Sequence, residues 1–178
     1  MTSINFTYRR ASPADALILS KLATQVFFDT YATHGVTSEL AKEADNLFAV
    51  EVFQNRLCIE TSVILIASSQ DGIVGLIDID LATTCPVEGI HGAEVFRLYV
   101  HRPFLRMGIG RHLMAKAEAL VRSKSISPIW LTAWSGNHRA LAFYKSIGYR
   151  DIGSTQYVIE GKDYENRVLY SALGSNTA

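Results

Sequence analysis

Apolar positions give the first outline of the chain. Leu19, Leu22, Ala23, Val26 and Phe27 recur at helical spacing and predict a helix ending near Phe28. Just before it, Ser12-Pro13-Ala14-Asp15 supplies a cap residue, a proline for the first helical position and an acid for the first turn. Phe6-Thr7-Tyr8 reads as a short strand ahead of that helix. A second helical region is expected over 37–57. Leu40, Ala44 and Leu47 share one face of it, and Val50, Phe53 and Leu57 a second, which predicts a kink between the two halves. Two β-rich runs follow, 62–67 and 73–80, joined across Gln70-Asp71-Gly72, a hairpin signal. Asp78 and Asp80 fall two apart, on one face of the second run. The run is expected to end there, with both acids in solvent. Residues 83–92, with Cys85-Pro86 and two glycines, read as a loop.

The stretch 95–149 organises the rest. Val95-Phe96-Arg97-Leu98-Tyr99-Val100 is apolar enough for a buried strand. Ile109, Leu113, Ala117, Leu120 and Val121 then line one side of a helix, with Arg111, Lys116, Glu118 and Arg122 on much of the other. Between them lies Arg106-Met107-Gly108-Ile109-Gly110-Arg111. A strand thus feeds a glycine turn, and the turn opens a helix. That order aims free N–H groups and the positive end of the helix dipole at one spot, which suits a phosphate. Gly108 and Gly110 allow close approach, and Arg106 and Arg111 can pair with a diphosphate. Two other glycine motifs fail on residues. A dinucleotide fingerprint needs a small residue where Leu113 stands, and a P-loop needs Lys-Ser/Thr where Arg111-His112 stand.

Pro128-Ile129-Trp130-Leu131-Thr132-Ala133-Trp134 reads as the next strand, parallel to 95–100 because a helix joins them. Ser135-Gly136-Asn137 breaks it, and a short helix over 137–147 stops at Gly148. Residues 151–159 and 165–173 close the chain as two strands around Gly161-Lys162-Asp163. These elements predict one α/β domain over 1–173, with a mixed, largely antiparallel sheet, and a frayed tail at 174–178.

Charge narrows the function. Lys and Arg number 17, as do Asp and Glu, so there is no electrostatic case for nucleic acid. Two cysteines form neither a disulfide framework nor a Cys-x-x-Cys site, and five histidines have no ligand-like spacing, so no metal is expected. The sequence has no apolar run long enough to span a bilayer and no signal-like start, which makes the cytoplasm the default location.

Two motifs in order, Arg106-x-Gly108-x-Gly110 and Asn137-x-x-Ala140-x-x-Phe143-Tyr144-x-x-x-Gly148-Tyr149, resemble the GNAT superfamily of acyl-CoA-dependent N-acyltransferases. The likeness runs from Tyr8 to Leu173. Arg97-Leu98-Tyr99-Val100, Ile129-Trp130-Leu131 and the Asn137 helix resemble bacterial spermidine/spermine N-acetyltransferases most. One position departs: Leu105 stands where the superfamily often has Gln or Arg.

The resemblance implies a splayed parallel strand pair at the sheet centre and acetyl-CoA as co-substrate. Leu98, Tyr99 and Val100 would meet its pantetheine arm, and Arg106, Met107, Gly108, Ile109, Gly110 and Arg111 its diphosphate. Asn137 and Ala140 would flank the arm from the last helix, where Asn137 also reads as a plain N-cap. Glu94 is the implied base for the incoming amine, or else an exposed glutamate at a strand start. Tyr144 is the implied acid for the departing thiolate, or else a packed aromatic; Phe143 is the expected core residue of that pair. His101 and His138 are expected at the surface. The backbone N–H of Val100 would hold the thioester oxygen. The acids Glu39, Glu43, Asp45 and Glu51 read as a solvated helix side or as a wall of the acceptor site, with Asp78 and Asp80 on its approach. The activity implied is transfer of an acetyl group to a primary amine, polyamines first, against the alternative of a non-catalytic acyl-CoA-binding regulatory module. A small-molecule amine is the expected partner, with no nucleic acid and no membrane; monomer and homodimer both stay open.

Overall fold

The computed structural model describes residues 5–87 and 89–173; the tail 174–178 lies outside them. The elements, in chain order, are β1 (Thr7–Arg10), α1 (Ala16–Tyr31), α2 (Ser38–Phe48), α3 (Val50–Cys58), β2 (Ser62–Ser68), β3 (Ile73–Thr84), β4 (His91–Val100), α4 (Ile109–Ser123), β5 (Ile129–Trp134), α5 (His138–Ser146), β6 (Arg150–Ile159) and β7 (Lys162–Ser171). The strands form one mixed sheet in the order β1-β2-β3-β4-β5-β7-β6, mostly antiparallel. Its parallel pair is β4 with β5, whose ladder consists of Ala93 opposite Ile129 and Glu94 opposite Trp130. β1 with β2, β5 with β7, and β6 with β7 are antiparallel.

The chain divides into two compact units, Met1–Asp78 with Arg97–Ala115, and Ile79–Phe96 with Lys116–Ala178. In the first, Leu19, Ala23, Phe53, Ile66 and Leu76 are fully buried and define the core. α1 opens through a 3-10 turn at Pro13–Asp15. The Asp15 carboxylate accepts from the Ser12 N–H at 2.7 Å and from both guanidinium nitrogens of Arg9 at 2.7 and 2.8 Å. These donors hold the Asp15 carboxyl far below the usual carboxylate range, with Arg9 the main cause. The helix runs past Phe28 to Tyr31, whose ring packs on Phe27 at 4.9 Å. The expected kink falls at Ala49, where an extended residue (φ −53°, ψ 150°) separates α2 from α3.

One expectation is overturned in this unit. β3 does not stop at Asp80 but continues to Thr84, and Asp78 has no solvent exposure. It accepts from Arg97 Nη1 at 2.8 Å and from Arg56 Nη2 at 2.6 Å and Nε at 3.3 Å. β3 is buried on both faces from Val74 to Ile79, so an acid in that run needs partners that replace water, and two guanidiniums supply them. Arg97 also donates to the Leu47 carbonyl at 3.1 Å and lies over the rings of Phe48 and Phe53, at 5.5 and 5.3 Å. The cluster ties the end of α2 to the sheet, and Asp78 is no part of an acidic approach.

In the second unit, Cys85, Trp130 and Val168 form a small core, with Val87, Ile90 and Ile152 against it. Gly92 and Pro128 set the spacing of β4 and β5: the Ala93 N–H donates to the Pro128 carbonyl at 3.0 Å, and a Cβ on Gly92 would sit 2.2 Å from that oxygen. Only glycine fits there.

Candidate active site

The glycine turn belongs to the first unit. After a 3-10 turn at Arg102–Phe104, Leu105 is extended (φ −63°, ψ 150°), and Arg106 then takes a left-handed conformation, with φ 63°. Gly108 is left-handed too, with φ 83°. A non-glycine residue at such a φ carries strain, which concentrates at functional sites. The Gly108 carbonyl accepts the His112 N–H at 3.0 Å, so α4 starts its hydrogen bonding there. The N–H groups of Ile109, Gly110 and Arg111 then have no intrahelical acceptor by geometry. They point the same way as the dipole's positive end, an arrangement suited to an anion.

The core anchors this helix start. Ile109, Leu113 and Met114 are buried. Gly75 in β3 leaves room for them: a Cβ there would lie 3.2 Å from Ile109 Cγ2 and 3.1 Å from the Tyr99 carbonyl. The Tyr8 ring stacks on His112 at 5.4 Å. Ile109 can therefore offer a ligand only its backbone, whereas Arg106, Met107 and Arg111 are exposed. Leu98, Tyr99 and Val100 end β4 half-buried, with the Tyr99 ring edge-on to Phe48 at 6.0 Å. His101 is half-buried; its ring meets the Gln25 amide at 3.0 Å, and its backbone N–H donates to the Val74 carbonyl.

The second unit holds the remaining candidates. Glu94 is half-buried opposite Trp130. Burial pushes the Cys85 thiol up; a bond from the Val87 backbone opposes it, and the Glu94 charge adds a smaller upward push. Asn137 caps α5: its Oδ1 accepts the Ala140 N–H at 3.1 Å. The tight turn before it needs Gly136, where a Cβ would fall 2.4 Å from the Trp134 ring. His138 is exposed and Ala140 half-buried.

The aromatic pair on α5 is oriented opposite to expectation. Tyr144 is the buried member, 7% exposed, and Phe143 is only half-buried. The Tyr144 ring lies 5.3 Å from Phe143 and 6.0 Å from Tyr149. Tyr149 donates from its hydroxyl to Glu118 Oε1 at 3.2 Å, and Arg122 Nη2 is 3.8 Å from the other carboxylate oxygen. Burial first, then the Glu118 charge, push the Tyr149 phenol well above its ordinary range. Residue spacing gives no hint of the Tyr149–Glu118 contact, because the two are 31 residues apart and Tyr149 lies past the end of α5.

Among the described residues, no group of three or more His, Cys, Asp or Glu side chains could hold a metal ion, and no helix is long and apolar enough to cross a membrane.

A mixed sheet with one parallel pair, flanking helices and a glycine turn at a helix start defines the fold class. The model of the acetyltransferase (GNAT) family matches residues 25–149, and the chain belongs to that family. An uncharacterized N-acetyltransferase in the pepI 3′ region of Lactobacillus delbrueckii subsp. lactis is 24% identical over 154 residues, covering 85% of this chain and 88% of its own. The crystal structure of PaiA N-acetyltransferase from Thermoplasma acidophilum, in complex with coenzyme A, superposes with a TM-score of 0.75 at 20% identity, covering 92% of this chain and 98% of its own. The structure of YncA, a putative acetyltransferase from Salmonella typhimurium with its cofactor acetyl-CoA, gives 0.65 at 16% identity, over 97% and 96% of the two chains.

Proposed function

We propose that this protein transfers the acetyl group of acetyl-CoA to a primary amine by direct attack, with a polyamine as the preferred acceptor. The observation that carries the reading is the start of α4. A strained Arg106, a left-handed Gly108 and three N–H groups without helical acceptors stand in a chain of the acetyltransferase family. That group of donors fits a diphosphate, and Arg106 and Arg111 add cations beside it. Leu98, Tyr99 and Val100 would offer backbone to the pantetheine amides. The Asn137 side-chain N–H₂ would serve the same arm, because capping uses only its oxygen.

In this reading the amine nitrogen attacks the thioester carbonyl carbon, whose oxygen takes up the negative charge beside the Val100 N–H. The amine must first lose a proton. With a pKa of about 10.4, near pH 7 only about one alkylamine in a few thousand is neutral, a cost of about 4–5 kcal/mol. Glu94 takes that proton through water. As the carbon–sulfur bond breaks, Tyr144 gives its phenolic proton to the departing sulfur, and the second proton lost by the acylated nitrogen restores the phenol by way of solvent. The acid-rich α2, with Glu39, Glu43 and Asp45, supports a cationic acceptor. No membrane or nucleic acid enters this reading, and its setting is the cytoplasm.

The test is thiol release from acetyl-CoA with a panel of amines at several ionic strengths. Release should be fastest with spermidine and should fall with salt more steeply than for a monoamine. Tight CoA binding with no thiol release from any amine would leave only an acyl-CoA-binding module.

A further inference from the structure

Tyr144 is held from behind by a residue outside its helix. α5 ends in a reversal at Gly148, with φ 93°. The Tyr149 N–H donates back to the Tyr144 carbonyl at 3.1 Å, and the Gly148 N–H to the Lys145 carbonyl at 3.1 Å. This is the Schellman arrangement, in which the residue just past the reversal packs on the one that accepts its N–H. Tyr144 and Tyr149 are that pair, and their rings meet at 6.0 Å. An apolar side chain would suffice for the packing. Tyr149 instead carries a hydroxyl that reaches Glu118, on the C-terminal half of α4, at 3.2 Å. That hydroxyl contact gives the ring a fixed polar partner, a directional constraint that packing alone lacks.

We propose that Glu118, acting through Tyr149, is a positioning residue for Tyr144. The carboxylate fixes the Tyr149 ring, and that ring together with the Tyr149 N–H fixes the side chain and backbone of Tyr144. The bond persists across the working pH range because burial and the Glu118 charge keep the proton on Tyr149. Arg122 Nη2 faces the other oxygen of the same carboxylate at 3.8 Å. The inference rests on Tyr144 being the acid of the transfer. It adds that the pose of that acid is set by a contact with no part in binding either substrate.

The experiment is a double-mutant cycle with Tyr144→Phe and Tyr149→Phe, read as kcat, KM and CoA dissociation constant in a chemistry-limited assay. Tyr149→Phe keeps the ring and removes only the bond to Glu118. Its kcat should fall about tenfold, the scale of a slightly misplaced catalytic group, with KM and CoA affinity unchanged. In the Tyr144→Phe background the same change should cost nothing further, because the acid it positions is already gone. Glu118→Gln, which keeps an acceptor oxygen, should recover most of the activity that Glu118→Ala loses. A Tyr149→Phe loss that multiplies with that of Tyr144→Phe, or no loss at all, overturns the positioning role while leaving the acid in place. Wild-type turnover by Tyr144→Phe would overturn the acid itself, and the positioning role with it.

Discussion

Helices α4 and α5 begin in opposite ways. α5 starts with a side-chain cap: Asn137 Oδ1 takes the Ala140 N–H at 3.1 Å, and the Asn137 carbonyl takes the Leu141 N–H at 3.0 Å. α4 starts with a glycine, which has no side chain to offer, after a left-handed arginine. A helix start exposes several N–H groups that something must satisfy. At α5 the chain satisfies one of them itself. At α4 it places its donors beside two exposed arginines and anchors the turn from below through Ile109 and Leu113. In the proposed reading the start of α4 is left open for a ligand, whereas α5 satisfies one of its own N–H groups with the Asn137 oxygen.

The largest expected effect is at α4. Replacing both Arg106 and Arg111 by Ala should raise the CoA dissociation constant about 10²-fold, as expected for two lost charge-assisted contacts. Both side chains are exposed, so the melting temperature without ligand should hardly move. Calorimetric titration gives the answer, and wild-type affinity in the double variant would mean the diphosphate binds elsewhere. At α5 the effect should be on the fold: Asn137→Ala should cost about 1 kcal/mol of stability in denaturant unfolding, as a lost N-cap does. Asn137→Asp keeps the cap oxygen and should keep the stability. If Asn137→Ala left stability unchanged, the contrast between the two helix starts would fail.

Arg106→Gly sharpens the comparison with effects of opposite sign. Glycine tolerates the left-handed φ, so the ligand-free fold should gain up to about 1 kcal/mol while CoA binds more weakly. A variant that lost both would show that the arginine side chain also braces the turn. The smallest effect belongs to a third helix start. The Asp15 carboxyl that opens α1 is depressed by Arg9 and Ser12, so the stability it contributes is complete above the unfolded value, near about pH 4, and is lost as pH falls further. Arg9 is 52% exposed, which limits the contribution to about 1 kcal/mol or less. Asp15→Asn should flatten acid unfolding below pH 4 and leave CoA binding alone.

Local pattern made much of this legible. The apolar spacing of α1, the kink between α2 and α3 and the Asn137 cap depend on neighbours a few residues away, and so does the glycine turn. What escaped depends on distant partners. Asp78 looked like an exposed strand end because the arginines that make its burial tolerable come from 19 and 22 residues away. Arg106 gave no sign of its left-handed φ, since the residues that usually adopt it are glycine and asparagine. The order of Phe143 and Tyr144 does not follow from α5 alone, because it has only nine residues and the ring that completes the packing of Tyr144 belongs to Tyr149, beyond its end.

The central claim is that the backbone at the start of α4 is an anion site. It is tested most directly by following amide ¹H–¹⁵N resonances while adding ADP, which carries a diphosphate and no pantetheine arm. The account predicts saturable shifts at Ile109, Gly110 and Arg111, with Ala140, already capped by Asn137, unmoved. Silence at those three amides, or equal movement at Ala140, would contradict it.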